Sequence, residues 1–187
     1  MTAVLRPAAE PLLRQQLCAT ARQLFARHGF HAVSLRQLGQ ALGLHAGSLY
    51  AHIESKDALL QELIEEGFER LIDSARRVPA GAGLAGFLRH HLAFQQANPD
   101  WYVLALVESR HLTAEAREDV RSLKGDYALL LERLLQARCG GHGEPWRIAT
   151  VARQALRLLD GPPGGEGASL DDCVDDLERL ILNRLGP

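Results

Sequence analysis

Between Ser34 and Lys56 the chain carries side chains suited to gripping a polyanion and reading the polar surface beside it. His45, Ala46, Gly47 and Ser48 combine an imidazole with small residues. Such a set lets a backbone come close to base edges, and Ala46 could meet a thymine methyl. Tyr50 and His52 follow, each with a polar tip on a ring. Lys56 stands where a further helix should start, and the free N–H groups there attract anions to which an ammonium adds a point charge. Upstream, Ser34, Arg36 and Gln37 are suited to phosphate contacts, which position a protein on a duplex without specifying sequence. Two plainer roles stay open at this level: Lys56 as a solvated surface lysine, and Tyr50 as a core hydroxyl.

The elements that must hold these groups are readable from the same stretch. Leu35, Leu38 and Leu42 recur at spacings of three and four, one face of a helix. Ser34 before that run and Gln37 three residues later form a capping box, in which each side chain satisfies the other's backbone N–H. Gly39 leaves room for a second helix to approach, and Gly43 can take the left-handed conformation that ends a helix. Leu44 turns inward, and a new helix holds Ala46 to Tyr50. Helix, glycine-bearing turn, helix is the helix-turn-helix plan, whose second helix can enter the major groove. A preceding helix is expected from Pro11 to His28, with Leu13, Leu17, Ala21, Leu24 and Phe25 facing in and Gly29 stopping it.

The segment resembles the DNA-binding domain of TetR-type transcriptional regulators. The features that carry the resemblance are Phe25, Gly29 and Phe30, then Val33-Ser34, then LGL-x-x-GSLY-x-H, then Ser55-Lys56-Asp57 and a leucine run, over roughly the first third of the chain. The family often places Ser or Thr and a long polar residue where this chain has His45-Ala46, and an aromatic where it has Ile53. The resemblance implies a DNA-reading head on a helical, effector-sensing body.

Charge distribution agrees with that division. The 187-residue chain has a formal net charge of −2, but residues 1–56 carry six Lys/Arg against two Asp/Glu, while residues 57–187 carry fifteen against twenty-one. A basic end on an acidic remainder suits a protein that meets phosphates at one end only. Aromatic residues make up 5%, and Leu and Ala dominate the apolar share, which favours helices. No segment approaches the ~18 apolar residues of a membrane span, and MTAVLRPAAEPLLRQQ lacks the apolar run of a secretory signal. Cys18, Cys139 and Cys173 have no metal-like spacing, which points to reduced thiols in a cytoplasmic protein. Residues 1–10, bracketed by Pro7 and Pro11, read as a frayed arm; Arg6 could follow the DNA backbone or belong to a disordered tail.

The remainder reads as helices throughout, giving an all-α chain of about nine helices with domains 1–56 and 57–187. Ser55 caps a long fourth helix to about Arg77. A fifth runs Leu84–Ala97, a sixth from Pro99 to about Arg110, and a seventh from the Thr113 cap to about Arg138. On the seventh, Val120, Leu123, Tyr127, Leu130 and Leu134 are expected to face in. Pro145 opens an eighth and Ser169 caps a ninth, on either side of GPPGGEG. His90, His91, Trp101, Tyr102, Glu108, Arg110, His111 and Tyr127 concentrate polar and aromatic groups among leucines and form the candidate effector site, although each alone is commonly structural.

From the HH pair through NPDWYVLALVESRHL and a later Tyr to GPPGGEGASLDD, the body resembles, more weakly, the branch of these regulators that responds to acyl-CoA thioesters. LRLLDGPPGGEG lacks the aromatic usual there. His-Glu-x-x-His, Cys-x-x-Cys and phosphate-loop patterns are absent, GPPGGEG follows no strand, and adjacent His90 and His91 point roughly 100° apart on a helix, so no cofactor or metal is expected.

The apolar stripes of the last two helices are Ile148, Val151, Ala155, Leu158 and Leu159 on one, and Val174, Leu177, Leu180, Ile181 and Leu185 on the other. They exceed what one docking needs and suggest a homodimer through these helices, unless the monomer core consumes both. The resulting expectation is a regulator, most simply a repressor, that binds operator DNA and a small effector. An enzyme using the His-rich pocket, or a protein–protein adaptor on the same fold, are the alternatives from other classes.

Overall fold

The computed structural model describes residues 9–140, 143–161 and 169–185. Residues 1–8 of the expected arm, Arg6 among them, the residues Gly141 and His142, and most of GPPGGEG lie outside them, while Ala9 and Glu10 of that arm open the first helix. Among the described residues there are nine α-helices and no strand: α1 (Ala9–His28), α2 (Leu35–Ala41), α3 (Ala46–Leu49), α4 (Lys56–Ala75), α5 (Gly83–Ala97), α6 (Pro99–Leu106), α7 (Ala114–Arg138), α8 (Pro145–Leu159) and α9 (Leu170–Leu185). They gather into two compact units. Of the described residues, the first holds those up to 67 together with 99–118, and the second holds 68–98 and those from 119 onward.

In the first unit, α1 ends where Gly29 adopts φ +84° and its N–H returns to the Phe25 carbonyl at 2.9 Å. Leu17, Ala21 and Phe25 of α1, Leu38 of α2, Leu49 of α3 and Leu59, Leu60, Leu63 and Ile64 of α4 are all buried. Burying a side chain of this size contributes roughly 1.5–3 kcal/mol, so this core is what holds α1 to α4 in one geometry. α6 packs against α1 and adds Trp101, Leu104 and Ala105. The Trp101 indole N–H donates to the Ile64 carbonyl at 3.1 Å. A Cβ at Gly67 would lie 1.8 Å from Trp101 Nε1, so the bare backbone there is what admits the ring. Arg14–Glu62 and Arg22–Glu66 ion pairs join α1 to α4, at half-exposed positions where each adds little.

The sixth helix differs from expectation. It stops at Leu106, and Glu108–His111 forms a separate 3₁₀ turn rather than a continuation to Arg110. Tighter winding turns Glu108 into the unit, where it is 4% exposed.

In the second unit, α5 packs on α9, and α8 on α9. The inward stripe of α7 is Val120, Tyr127, Ala128, Leu131 and Leu135, not Leu130 and Leu134 as expected. The leucine-rich run offers two adjacent stripes, and tertiary packing selects one. The stripes of α8 and α9 are largely consumed within the chain: Ile148, Val151, Ala155, Leu159, Val174 and Ile181 are buried, while Leu158 and Leu180 remain 55% and 54% exposed. Ser169 and Asp172 form a capping box at the start of α9. No described helix is long and apolar enough to cross a membrane.

Candidate nucleic-acid interface

The helix-turn-helix is assembled by backbone geometry that its sequence specifies. Ser34 Oγ accepts the Gln37 N–H at 3.2 Å and Gln37 Oε1 accepts the Ser34 N–H at 2.8 Å, completing the capping box. Gly43, at φ +69°, lets the chain leave α2, and the Leu44 N–H donates to the Gly39 carbonyl at 2.8 Å. At Gly39 a Cβ would meet the Leu44 carbonyl oxygen at 2.8 Å and the Ala46 nitrogen at 3.3 Å. Both neighbours are backbone, so Gly39 sets how closely α3 lies on α2.

One outward surface results. Ser34, Arg36 and Gln37 on α2 are exposed, as are His45, Gly47 and Ser48 at α3, with Ala46 and His52 half-exposed. His45 begins α3 without using its side chain as a cap. Tyr50 is 61% exposed, which removes the core-hydroxyl role, while Leu49 and Ile53 on either side of it are buried. Beside Gln37 lies a hollow of about 330 Å³ lined by Leu24, His28, Ala32, Val33 and Gln37. His28, in the basic last turn of α1, was not among the sequence candidates. Its place beside Gln37 depends on how the turn after α1 folds back, and spacing alone does not reveal that.

Lys56 is not a solvated lysine. Its ammonium donates to the carbonyls of Phe30 and Val33, both at 2.8 Å, and lies 4.2 Å from the centre of the Phe30 ring. The charge expected to meet phosphate thus ties the α1–α2 connection to the start of α4. The opposite polarity is met by Glu108, whose Oε2 accepts the Phe30 N–H at 2.8 Å. His111 stacks on Phe30 at 5.8 Å and meets the His31 ring edge-on at 4.1 Å. Its Nε2 accepts from Arg110 Nε at 3.0 Å. Desolvation, with the neighbouring His31 and Arg110, holds the His111 imidazole below its ordinary pKa. The ring is therefore neutral, and its 3.6 Å approach to Glu108 is not an ion pair.

The eight residues expected to form an effector site are divided between the units. Trp101, Tyr102, Glu108, Arg110 and His111 belong to the first, where Trp101 and Glu108 hold backbone groups. His90, His91 and Tyr127 belong to the second. There His91 Nδ1 and the Tyr127 hydroxyl are 2.9 Å apart, and Phe87 stacks on Tyr127. Burial, aided by His90, lowers the His91 pKa to about 4, and burial raises that of Tyr127. Both are neutral, so the hydroxyl can donate to Nδ1. His90 Nε2 lies 3.0 Å from Ser74 Oγ, and its Nδ1 is buried without a partner. Among the described residues no cluster of His, Cys, Asp or Glu could hold a metal ion.

An all-α protein with a solvent-facing helix-turn-helix, built on a tight glycine turn and flanked by exposed basic and hydroxyl side chains, defines a DNA-binding regulator. Residues 17–63 match the model for bacterial regulatory proteins of the tetR family. It is 26% identical over 177 residues to the HTH-type transcriptional repressor AcnR of Corynebacterium diphtheriae, covering 90% of both chains. It is 35% identical over 99 residues to the HTH-type transcriptional repressor Rv1474c of Mycobacterium tuberculosis, a match spanning 53% of this chain and half the length of that relative. Its fold matches that of AibR, solved in complex with isovaleryl coenzyme A and operator DNA, with a TM-score of 0.73 and 20% identity over 90% of this chain and 97% of that one.

Proposed function

We propose that the chain is a transcriptional repressor that holds operator DNA as a homodimer and releases it when a small, acyl-CoA-like effector binds the helical body. The observation that carries this reading is the exposed surface of α2 and α3, fixed by the Ser34–Gln37 capping box and by the approach at Gly39. Ser34, Arg36 and Gln37 would meet phosphates, together with Tyr50 and His52. His45, Ala46, Gly47 and Ser48 would face base edges. Lys56 contributes by holding the turn before α2. Repression is supported by the repressors AcnR and Rv1474c, and the effector class by the isovaleryl coenzyme A bound to AibR.

Of the expected effector contacts, His90, His91 and Tyr127 are the ones grouped within the second unit, and they would offer neutral polar groups to such a ligand. For the dimer, Leu158 and Leu180 flank a groove of about 380 Å³ between α8 and α9, lined also by Gln154, Arg157 and Arg184. An exposed apolar pair rimmed by polar side chains suits a two-fold contact with a second copy. The test is electrophoretic mobility shift with the DNA flanking the protein's own gene. A discrete shifted band that resists competitor DNA and dissolves on adding acyl-CoA thioesters is expected. A band that competitor removes entirely would overturn the reading.

A further inference from the structure

The α1–α2 connection, residues 29–34, decides where α2 begins and therefore where the whole helix-turn-helix lies on α1. It is short, and its backbone is held from two sides. Lys56 takes the carbonyls of Phe30 and Val33, while the Phe30 N–H is taken by Glu108, 78 residues further along the chain. The Phe30 ring is 1% exposed, set edge-on to Phe25 at 5.3 Å, so neither end of that residue can relax toward solvent. A carboxylate this deeply buried is tolerated only where it is hydrogen-bonded. Its donor here is the backbone N–H of Phe30, in the connection that leads from α1 into the reading head.

We infer that Glu108 is a positioning residue for DNA recognition, fixing through the Phe30 N–H the start of α2 and hence the register of α3. This rests on the reading of α2 and α3 as the DNA-binding surface. Contact geometry in such sites must hold to about half an ångström. Without the carboxylate, the turn keeps its Lys56 contacts but gains freedom along the direction Glu108 restrains. Every phosphate and base contact downstream is then weakened together, without Glu108 touching DNA.

The experiment compares the full chain with its Glu108→Ala and Glu108→Gln variants, by amide hydrogen exchange at Phe30 and by affinity for a duplex that the parent protein selects from random DNA. Glu108→Ala should speed exchange at Phe30 about tenfold and weaken DNA binding about tenfold, the loss expected for a hydrogen bond to a charged acceptor. Glu108→Gln retains an acceptor oxygen and should restore both to within about threefold of the parent. If the alanine variant does not fold, Glu108→Asp, which withdraws the carboxylate by one methylene, should show both losses in its place. Faster exchange with unchanged DNA affinity, or a glutamine variant no better than alanine, overturns the inference. A parent that selects no duplex refutes the DNA-binding reading and this role with it, while Phe30 exchange still reports separately on the bond.

Discussion

Replacing Lys56 by Met removes the ammonium while keeping an apolar stem over the Phe30 ring. Two charge-assisted hydrogen bonds of 2.8 Å are lost, to the carbonyls of Phe30 and Val33, and with them a cation–ring contact at 4.2 Å. Hydrogen bonds to charged groups contribute about 1.5–3 kcal/mol each. Lys56 is only half-buried, so water can satisfy part of what is lost. Taking the lower end for each bond and roughly 0.5 kcal/mol for the ring contact, the variant should lose about 3.5 kcal/mol, a large share of the ~5–15 kcal/mol of a whole domain. Urea unfolding followed by the buried Trp101 would read this in the first unit; the second tryptophan, Trp146, is 68% exposed and adds little signal change. A loss below about 0.5 kcal/mol would contradict this role for Lys56. It would show the two carbonyls to be as well served by water as by the ammonium.

Other outcomes follow from the same geometry. Arg36→Ala should weaken all duplexes about equally and lower the slope of log affinity against log salt by roughly one, since an exposed phosphate contact carries no sequence information; a change of sequence preference at constant slope would argue against that role. Gly39→Ala should cost about 1–3 kcal/mol in denaturation, because its Cβ would meet the Leu44 carbonyl oxygen at 2.8 Å. Leu158→Glu with Leu180→Glu should give a folded monomer by sedimentation, both side chains being more than half exposed; a parent already monomeric at micromolar concentration would contradict the dimer. His91 has a folded pKa depressed to about 4 from an ordinary 6.5. Its unfolded form binds the extra proton in that window, so stability should be complete above about pH 6.5 and fall by roughly 2–3 kcal/mol toward pH 4. His91→Gln should flatten that dependence; an equally steep fall would place its origin elsewhere.

The head was legible because its determinants are local. Ser34 and Gln37 cap each other across three residues, and Gly39 and Gly43 act on the turn they flank, so spacing alone reveals them. The apolar spacing also gave the helices of the body, with ends within a few residues of those found. What sequence missed depends on long-range contacts. Glu108 and Trp101 read as effector contacts because they are polar or aromatic among leucines. Each serves a backbone group far away in the chain, the Phe30 N–H in the α1–α2 connection for one and the Ile64 carbonyl of α4 for the other. Lys56 carries the right charge at a helix start, but no pattern announces that two carbonyls lie within its reach. In α7 the doubled leucines left the buried stripe undetermined until α7 packed.

Selection of duplexes from random DNA by the full chain decides whether the surface of α2 and α3 reads sequence. One enriched, two-fold symmetric site is expected, its half-site centres one DNA turn (about 10 base pairs) or a multiple apart, with sequence preference lost or altered in His45→Ala and Ser48→Ala. Enrichment of no site above background, or of a site indifferent to both substitutions, would contradict sequence reading by that surface.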